Sequence, residues 1–183
     1  MTSRPATALA VLAALVLAAG CGGDDETAGG AADLPPPLPD TVSFEPATGG
    51  LPAPDFTAEL VDGTDVKASD LWQDRPVVLV FTASWCEHCR AVHRDAARVV
   101  AEHPGAALLG VVAEDDLDAA ADYAEELDLG RPVGAASEQV WLDYAAREPP
   151  VVVLVGPGGK VLRGWPGGVA PAVLDRQLDA LAP

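Results

Sequence analysis

Basic residues are scarce in this chain. Among 183 residues there are 11 Lys and Arg against 28 Asp and Glu, a formal net charge of −17. Phosphate-backbone binding needs clustered Lys and Arg to displace counterions, so the balance argues against a nucleic-acid partner. It argues equally against a polybasic contact with anionic lipid. Cysteine is scarce too. Three residues are too few for a disulfide scaffold, so their positions carry more than their number. Long apolar runs are missing: the stretch Ala8–Ala19 is too short to cross a bilayer as a stable helix. No internal repeat is visible. What is there is globular in character, with 49% hydrophobic and 21% charged residues. The length suits about one compact domain plus appendages.

The apolar run follows a short start containing Arg4 and fits the central region of a signal peptide. Leu17-Ala18-Ala19-Gly20-Cys21 then resembles the bacterial lipobox, with Leu one position further from the cysteine than in the commonest form. That resemblance implies a signal peptide over 1–20 and a lipid-carrying thiol at Cys21. From 21 to 50 the composition turns to Gly, Ala, Pro, Asp and Thr, with Pro35-Pro36-Pro37 in the middle. Such a stretch lacks the apolar surface to offset ordering entropy, so an unstructured acidic tether is expected. The remaining 51–183 is expected to be the folded domain, and it is itself acidic.

Strands and helices alternate along that domain. Phe56–Val61 alternates as a strand and Asp62-Gly63 is a hairpin signal. Pro76–Phe81, Ala107–Ala113 and Val151–Val155 are apolar runs of strand length, as expected for strands covered on both faces. Helices are expected from Cys86 to about Glu102, over Leu117–Leu129, around Glu138–Ala146 and over Ala170–Leu181. A short strand at Pro132-Val133 and a last one at Lys160–Arg163 complete the pattern. Alternation of this kind gives an α/β fold with parallel strand pairs, and the last hairpin makes the sheet mixed.

Trp85-Cys86-Glu87-His88-Cys89 sits where a buried strand gives way to a helix. A helix start offers unpaired N–H groups and the positive end of the macrodipole, both of which favour a thiolate. The N-terminal cysteine, Cys86, is therefore the exposed and activated one, and Cys89 lies one turn on and deeper. Cys86 can attack a substrate disulfide to give a mixed disulfide that Cys89 resolves, and the oxidising direction is the reverse. A structural staple is a poor alternative, because so small a loop gains little from closure. A metal site, for instance a copper-binding or delivery module using Cys86, Cys89 and His93, lacks a clustered fourth ligand.

Phe56-Thr57, Asp62-Gly63, the strand before Trp85-Cys86-x-x-Cys89-Arg90, and Pro150 followed by four apolar residues and Gly159 occur in one order. In that order they resemble the TlpA/ResA-like thiol-disulfide oxidoreductases, the membrane-tethered branch of the thioredoxin superfamily related to AhpC/TSA proteins. The resemblance covers about 51–183. It implies a thioredoxin-like fold: a mixed central sheet flanked by helices on both faces, with an N-terminal β-hairpin extension. It further implies dithiol–disulfide exchange with protein thiols and disulfides, a redox partner at or outside the membrane, and no cofactor. The location implied is the extracytoplasmic face of the cell membrane, with the chain lipid-anchored and monomeric. Some such proteins keep cysteines reduced in cytochrome c maturation, whereas others form disulfides.

Residue by residue, the resemblance implies that Cys86 attacks, Cys89 resolves, Trp85 flanks the site and Pro150 is a cis-proline facing the pair. Val151 stands where a threonine is usual, and Pro149 has no N–H for the substrate. Val80 occupies the strand position where thioredoxin has a buried acid, so Cys89 needs another route for deprotonation. Between the cysteines, His88 favours the Cys86 thiolate and Glu87 opposes it, which leaves the direction of exchange open. His93 and His103 are expected to be solvated helix residues, and Trp72 and Trp141 to be packing residues. Trp165 is expected near the groove. Glu114, Asp115, Asp116 and Asp118 suit a helix N-terminus better than a metal site. A peroxidase of the related scaffold needs Thr at Ala83 and Pro at Leu79, and both are wrong.

Overall fold

The computed structural model describes residues 27–183, so Cys21 and the expected signal segment lie outside the described residues. Eight strands form one sheet. They are β1 (Leu51–Pro52), β2 (Thr57–Leu60), β3 (Asp65–Lys67), β4 (Val77–Phe81), β5 (Ala107–Ala113), β6 (Val133–Ala136), β7 (Val151–Gly156) and β8 (Lys160–Pro166). Their order across the sheet is β1-β8-β7-β4-β5-β6-β2-β3. The three central runs β4, β5 and β7 are buried almost without interruption, which is why they read as unbroken apolar stretches. β4 and β6 pair parallel to β5, whereas β7 lies antiparallel to β4, so the sheet is mixed. The Asp62-Gly63 turn closes the β2–β3 hairpin, which adds to the sheet through β6.

Helices cover both faces, as the TlpA/ResA-like resemblance implies. On one face α2 (Glu87–Ala101) and α5 (Pro171–Asp179) pack Val92, Ala96, Val100 and Leu174 against Val78, Val80, Leu108 and Leu154. α3 (Leu117–Leu127) joins that face beside β6. The other face carries α1 (Ala68–Trp72) and α4 (Glu138–Asp143), where Phe56, Trp72 and Tyr144 pack over Leu79, Phe81 and Val153. Helix ends stray from expectation by a few residues, most at α4, which stops three residues early. Among the described residues no helix is long and apolar enough to cross a membrane.

The largest departure from expectation lies between Thr27 and Gly50. This part of the expected tether lies along the domain. Gly29 accepts from Val133 N–H, Ala31 N–H donates to Asp62, and Pro36 accepts from the buried Arg75 guanidinium. Phe44 is buried, packed where the chain turns at Gly105, and Ala47 N–H donates to Pro157. These contacts fall at the starts of β6, β4 and β5 and the end of β7. The arm therefore crosses one end of the sheet, opposite the end where β4 delivers the cysteines. One large aromatic and a run of conformationally restricted prolines make this possible despite the polar average, because proline has little freedom left to lose.

Candidate active site

β4 ends at Phe81 and the chain turns through Thr82–Trp85 into α2, with Cys86 as its N-cap residue. Cys86 and Cys89 are joined by a disulfide, S–S 2.05 Å and Cα–Cα 5.2 Å. In the first turn of the helix the Cys89 N–H donates to Cys86 Sγ at 3.2 Å and to the Cys86 carbonyl at 3.1 Å. Cys86, expected to be exposed, is largely covered at 8% exposure, and Cys89 has none, so the first cysteine is the less covered of the two. Trp85 beside it is 76% exposed, a large apolar surface left uncovered at the mouth of the site.

Two further loops frame the disulfide. The peptide bond between Pro149 and Pro150 is cis, and the Pro149 carbonyl oxygen lies 3.9 Å from Cys86 Sγ. Pro150 leads into Val151, which pairs with Phe81 at the same end of the sheet. The loop after β8 closes the other side: Gly167 N–H donates to the Pro150 carbonyl at 2.8 Å, and His88 Nε2 lies 3.2 Å from the Gly167 carbonyl. His88 therefore bridges α2 to the loop that follows Trp165, which itself packs partly buried against the α2–α5 core. Glu87 points to solvent and reaches Arg90 at 3.6 Å, so its charge is screened by water.

Sequence reasoning missed the support beneath this surface. Asp116, in the turn before α3, accepts from the Ser84 N–H at 2.7 Å and from the Ser84 hydroxyl, holding the loop two residues ahead of Cys86. Arg90 spans the same region: it donates to the Ser84 carbonyl at 3.0 Å, pairs with Glu126 at 2.6 Å, and lies 5.3 Å from the Tyr123 ring centroid. Below it the Tyr123 hydroxyl sits 3.0 Å from Thr82 Oγ1 and 2.9 Å from His93 Nδ1, all three groups buried.

His93 is thus not the solvated helix residue its position suggests; it is wholly buried, stacked on Tyr123. Burial pushes its pKa down to about 3, so the imidazole is neutral, and its Nε2 has no partner. The space for the ring comes from Gly110 on β5, where an added Cβ would stand 2.6 Å from His93 Cε1. Gly110 is paired in register with Val80, so the imidazole rests beside the strand position named above for its missing acid. With Nδ1 on Tyr123 and Nε2 against the β5 backbone, His93 is not presented alongside the sulfurs as a third ligand. Burial of the ring thus weighs against the copper arrangement of Cys86, Cys89 and His93.

His103 also departs from expectation. It is largely covered and pairs with Asp175 at 2.9 Å, tying the end of α2 to α5. It meets Asp175 and Asp179 in a small cluster far along α2 from the disulfide. Trp72 and Trp141 pack, as expected, the latter edge-on to Phe81 at 5.3 Å between ring centroids.

A mixed sheet of this order, carrying a two-cysteine redox pair at a helix start, defines the thioredoxin-fold thiol–disulfide oxidoreductases. Relatives agree. The chain is 29% identical over 148 residues to the thiol:disulfide interchange protein DsbE of Escherichia coli, covering 78% of each. Among solved structures it resembles MTB DsbF with a TM-score of 0.62 and 27% identity, covering 69% of this chain and 95% of that one. It also resembles the exposed lipoprotein thioredoxin of Streptococcus pneumoniae, TM-score 0.59 and 26% identity, covering 70% of this chain and 100% of the other. The chain belongs to the AhpC/TSA family, whose model matches residues 50–163. Within that family it is a TlpA/ResA-like thiol–disulfide oxidoreductase.

Proposed function

We propose that Cys86 and Cys89 are the redox pair of a lipid-anchored enzyme that exchanges disulfides with protein substrates outside the cytoplasmic membrane. The observation that carries this is the unequal disulfide at the start of α2, with Cys86 the less covered cysteine, Cys89 fully covered and the Pro149–Pro150 loop against the Cys86 sulfur. In the reducing direction the Cys86 thiolate attacks one sulfur of a substrate disulfide and expels the other as a thiolate. Cys89 then attacks Cys86 Sγ, releasing the second substrate thiol and closing the disulfide. Two electrons pass to the substrate and its two sulfurs take up protons. In the oxidising direction every step reverses. Trp85, Pro150 and Val151 form the groove; of the two residues between the cysteines, His88 tunes the thiolate and Glu87, screened by solvent, contributes little.

Anchoring rests on the lipobox-like Leu17–Cys21, with 1–20 as signal peptide, and on the similarity to DsbE and to a lipoprotein thioredoxin. Reduction of cysteines for cytochrome c maturation is one physiological use of such a pair, and disulfide formation is the other. The deciding measurement is the potential of Cys86/Cys89 by equilibration with glutathione. A value near that of thioredoxin, about −270 mV, makes the protein a reductant, and one near that of DsbA, about −120 mV, makes it an oxidase. Cys89→Ala is expected to accumulate mixed disulfides with substrate proteins. A pair that does not oxidise reversibly, or a variant that traps nothing, overturns the reading.

A further inference from the structure

Two Arg-Pro pairs stand at one end of the sheet. Arg75-Pro76 leads into β4 and Arg131-Pro132 leads into β6, the two strands that run parallel to β5 on either side of it. Parallel strands start at the same end, so both arginines fall at the end opposite the disulfide, with the small Ala106 before β5 between them. The Pro-rich part of the arm, residues 35–39, faces this row across a pocket of about 330 Å³. That is room for a small ligand. Both arginines line the pocket, and among the described residues no carboxylate does, in a chain with 28 acidic residues and 11 basic ones.

Neither arginine is used up by the protein. Arg75 is buried; its Nε donates to Asp74 at 3.1 Å and its Nη1 to the Pro36 carbonyl at 2.9 Å, and these two bonds fix the plane of the guanidinium. They leave the rest of its fork of N–H donors over. Arg131 is less constrained. Its Nη1 reaches the adjacent Gly130 carbonyl at 3.3 Å, and its Nε is buried with no hydrogen-bond partner among the described residues. A buried N–H left unpaired costs free energy, which a small turn of the guanidinium towards a ligand oxygen recovers. His103 also lines the pocket, but Asp175 holds its ring, so it supplies wall rather than charge. The prolines of the arm bring no N–H, which leaves recognition to the guanidiniums.

We infer that this pocket binds a phosphate group, held between Arg75 and Arg131. Guanidinium forks pair bidentately with oxyanions, and each such bond is charge-assisted. A planar carboxylate suits one fork. A tetrahedral phosphate presents further oxygens to a second fork arriving from another direction. The lack of a lining carboxylate matters as much, because an acid there satisfies an arginine and repels the ligand. At long range the net charge of −17 repels an anion, so the site acts at contact; at 0.15 M salt a Debye length of about 8 Å confines that repulsion. Because the arm forms one wall, a bound phosphate also ties the arm to the starts of β4 and β6. Two sources share this chemistry, the phosphodiester of a lipid headgroup and free phosphate. The arm leads back in sequence to Cys21, the lipid carrier proposed above, which makes the first available. The site stands apart from the exchange chemistry at the other end of the sheet.

The test uses the full chain, kept in solution by an uncharged detergent in about 0.15 M sodium chloride, and follows phosphorus NMR line widths on titration. The probes are inorganic phosphate and glycerophosphoglycerol, the soluble phosphodiester headgroup of phosphatidylglycerol. Saturable binding is expected with a dissociation constant of about 1 mM or below. Binding of the diester identifies a lipid headgroup as the source, and binding of inorganic phosphate alone identifies free phosphate; either supports the site. Arg131→Gln is expected to weaken binding about tenfold through loss of a charge-assisted hydrogen bond. Arg131→Lys keeps the charge but loses the fork, and is expected to weaken it less. Arg163→Gln removes the same charge from an exposed position on β8 and is expected to bind as the wild type does. Circular dichroism checks that each variant is folded. No saturation of either probe by the wild type overturns the inference. So does Arg131→Gln binding as tightly as wild type, or Arg163→Gln weakening binding as much as Arg131→Gln. Trapping of mixed disulfides by Cys89→Ala is read separately, so failure of one reading leaves the other standing.

Discussion

At the scale of single residues, His93 shows how burial converts a titratable side chain into a stability device. Its unfolded pKa is about 6.5 and its folded value about 3, so between those limits the unfolded chain binds a proton that the folded one refuses. Stability from this group is complete above pH 6.5 and is lost as pH falls towards 3. The slope is about 1.4 kcal/mol per pH unit. Urea melts across that window are expected to show this fall, and His93→Gln is expected to flatten it while lowering stability at neutral pH. Gly110 belongs to the same site. Gly110→Ala places a methyl group 2.6 Å from His93 Cε1, and a loss of about 1–3 kcal/mol is expected in the same melts. Tyr123, whose pKa burial raises to about 12, stays protonated throughout, and its hydroxyl links Thr82 Oγ1 to His93 Nδ1. Asp116 acts through Ser84. Asp116→Ala removes two hydrogen bonds from the loop leading to Cys86, and a loss of about 1–3 kcal/mol is expected because Ser84 N–H is left without its acceptor.

At the scale of elements, the arm over 27–50 and helix α2 work at opposite ends of the sheet. α2 starts at the disulfide and ends near His103, whose hydrogen bond to Asp175 docks it on α5. The arm closes the other end, with Phe44 as its apolar anchor and Arg75 as its polar one. Phe44→Ala is expected to cost about 3 kcal/mol in a denaturant melt, the lower part of the range for a buried Phe, because the arm can partly collapse around the space. The reduction potential of the pair is expected to stay where it was, since no arm contact reaches the disulfide loop. A potential that moved with Phe44 would show the two ends to be coupled. How much of this was legible differs by element. The hairpin, β4, β5, β7 and α2 could be read from local pattern alone. The arm could not, because one Phe in a Pro- and Gly-rich stretch hardly alters its average polarity, yet it suffices when a ready-made surface receives it.

At the scale of the whole molecule, charge is the dominant property. An acidic protein attracts basic partners over the Debye length, about 30 Å at 0.01 M salt and about 8 Å at 0.15 M. Exchange with a basic disulfide-bearing protein is therefore expected to slow as salt is raised across that range, with the change in the association rate. Exchange with an uncharged dithiol is expected to be unaffected. A flat salt profile for the basic protein would mean that the acidic groups are too widely spread to steer it.

The sequence by itself determined the reaction class and most of the architecture. Apolar runs of strand length, a hairpin signal and a Cys-x-x-Cys at a strand–helix junction are local features, and their chemistry follows from residues a few positions apart. Tertiary structure alone decided what surrounds them. It put Asp116 on Ser84, seated His93 over the gap left by Gly110 and laid the arm across the far end of the sheet. Each depends on which distant residue fills a space or meets a charge, and the spacing of residues along a chain carries no record of that.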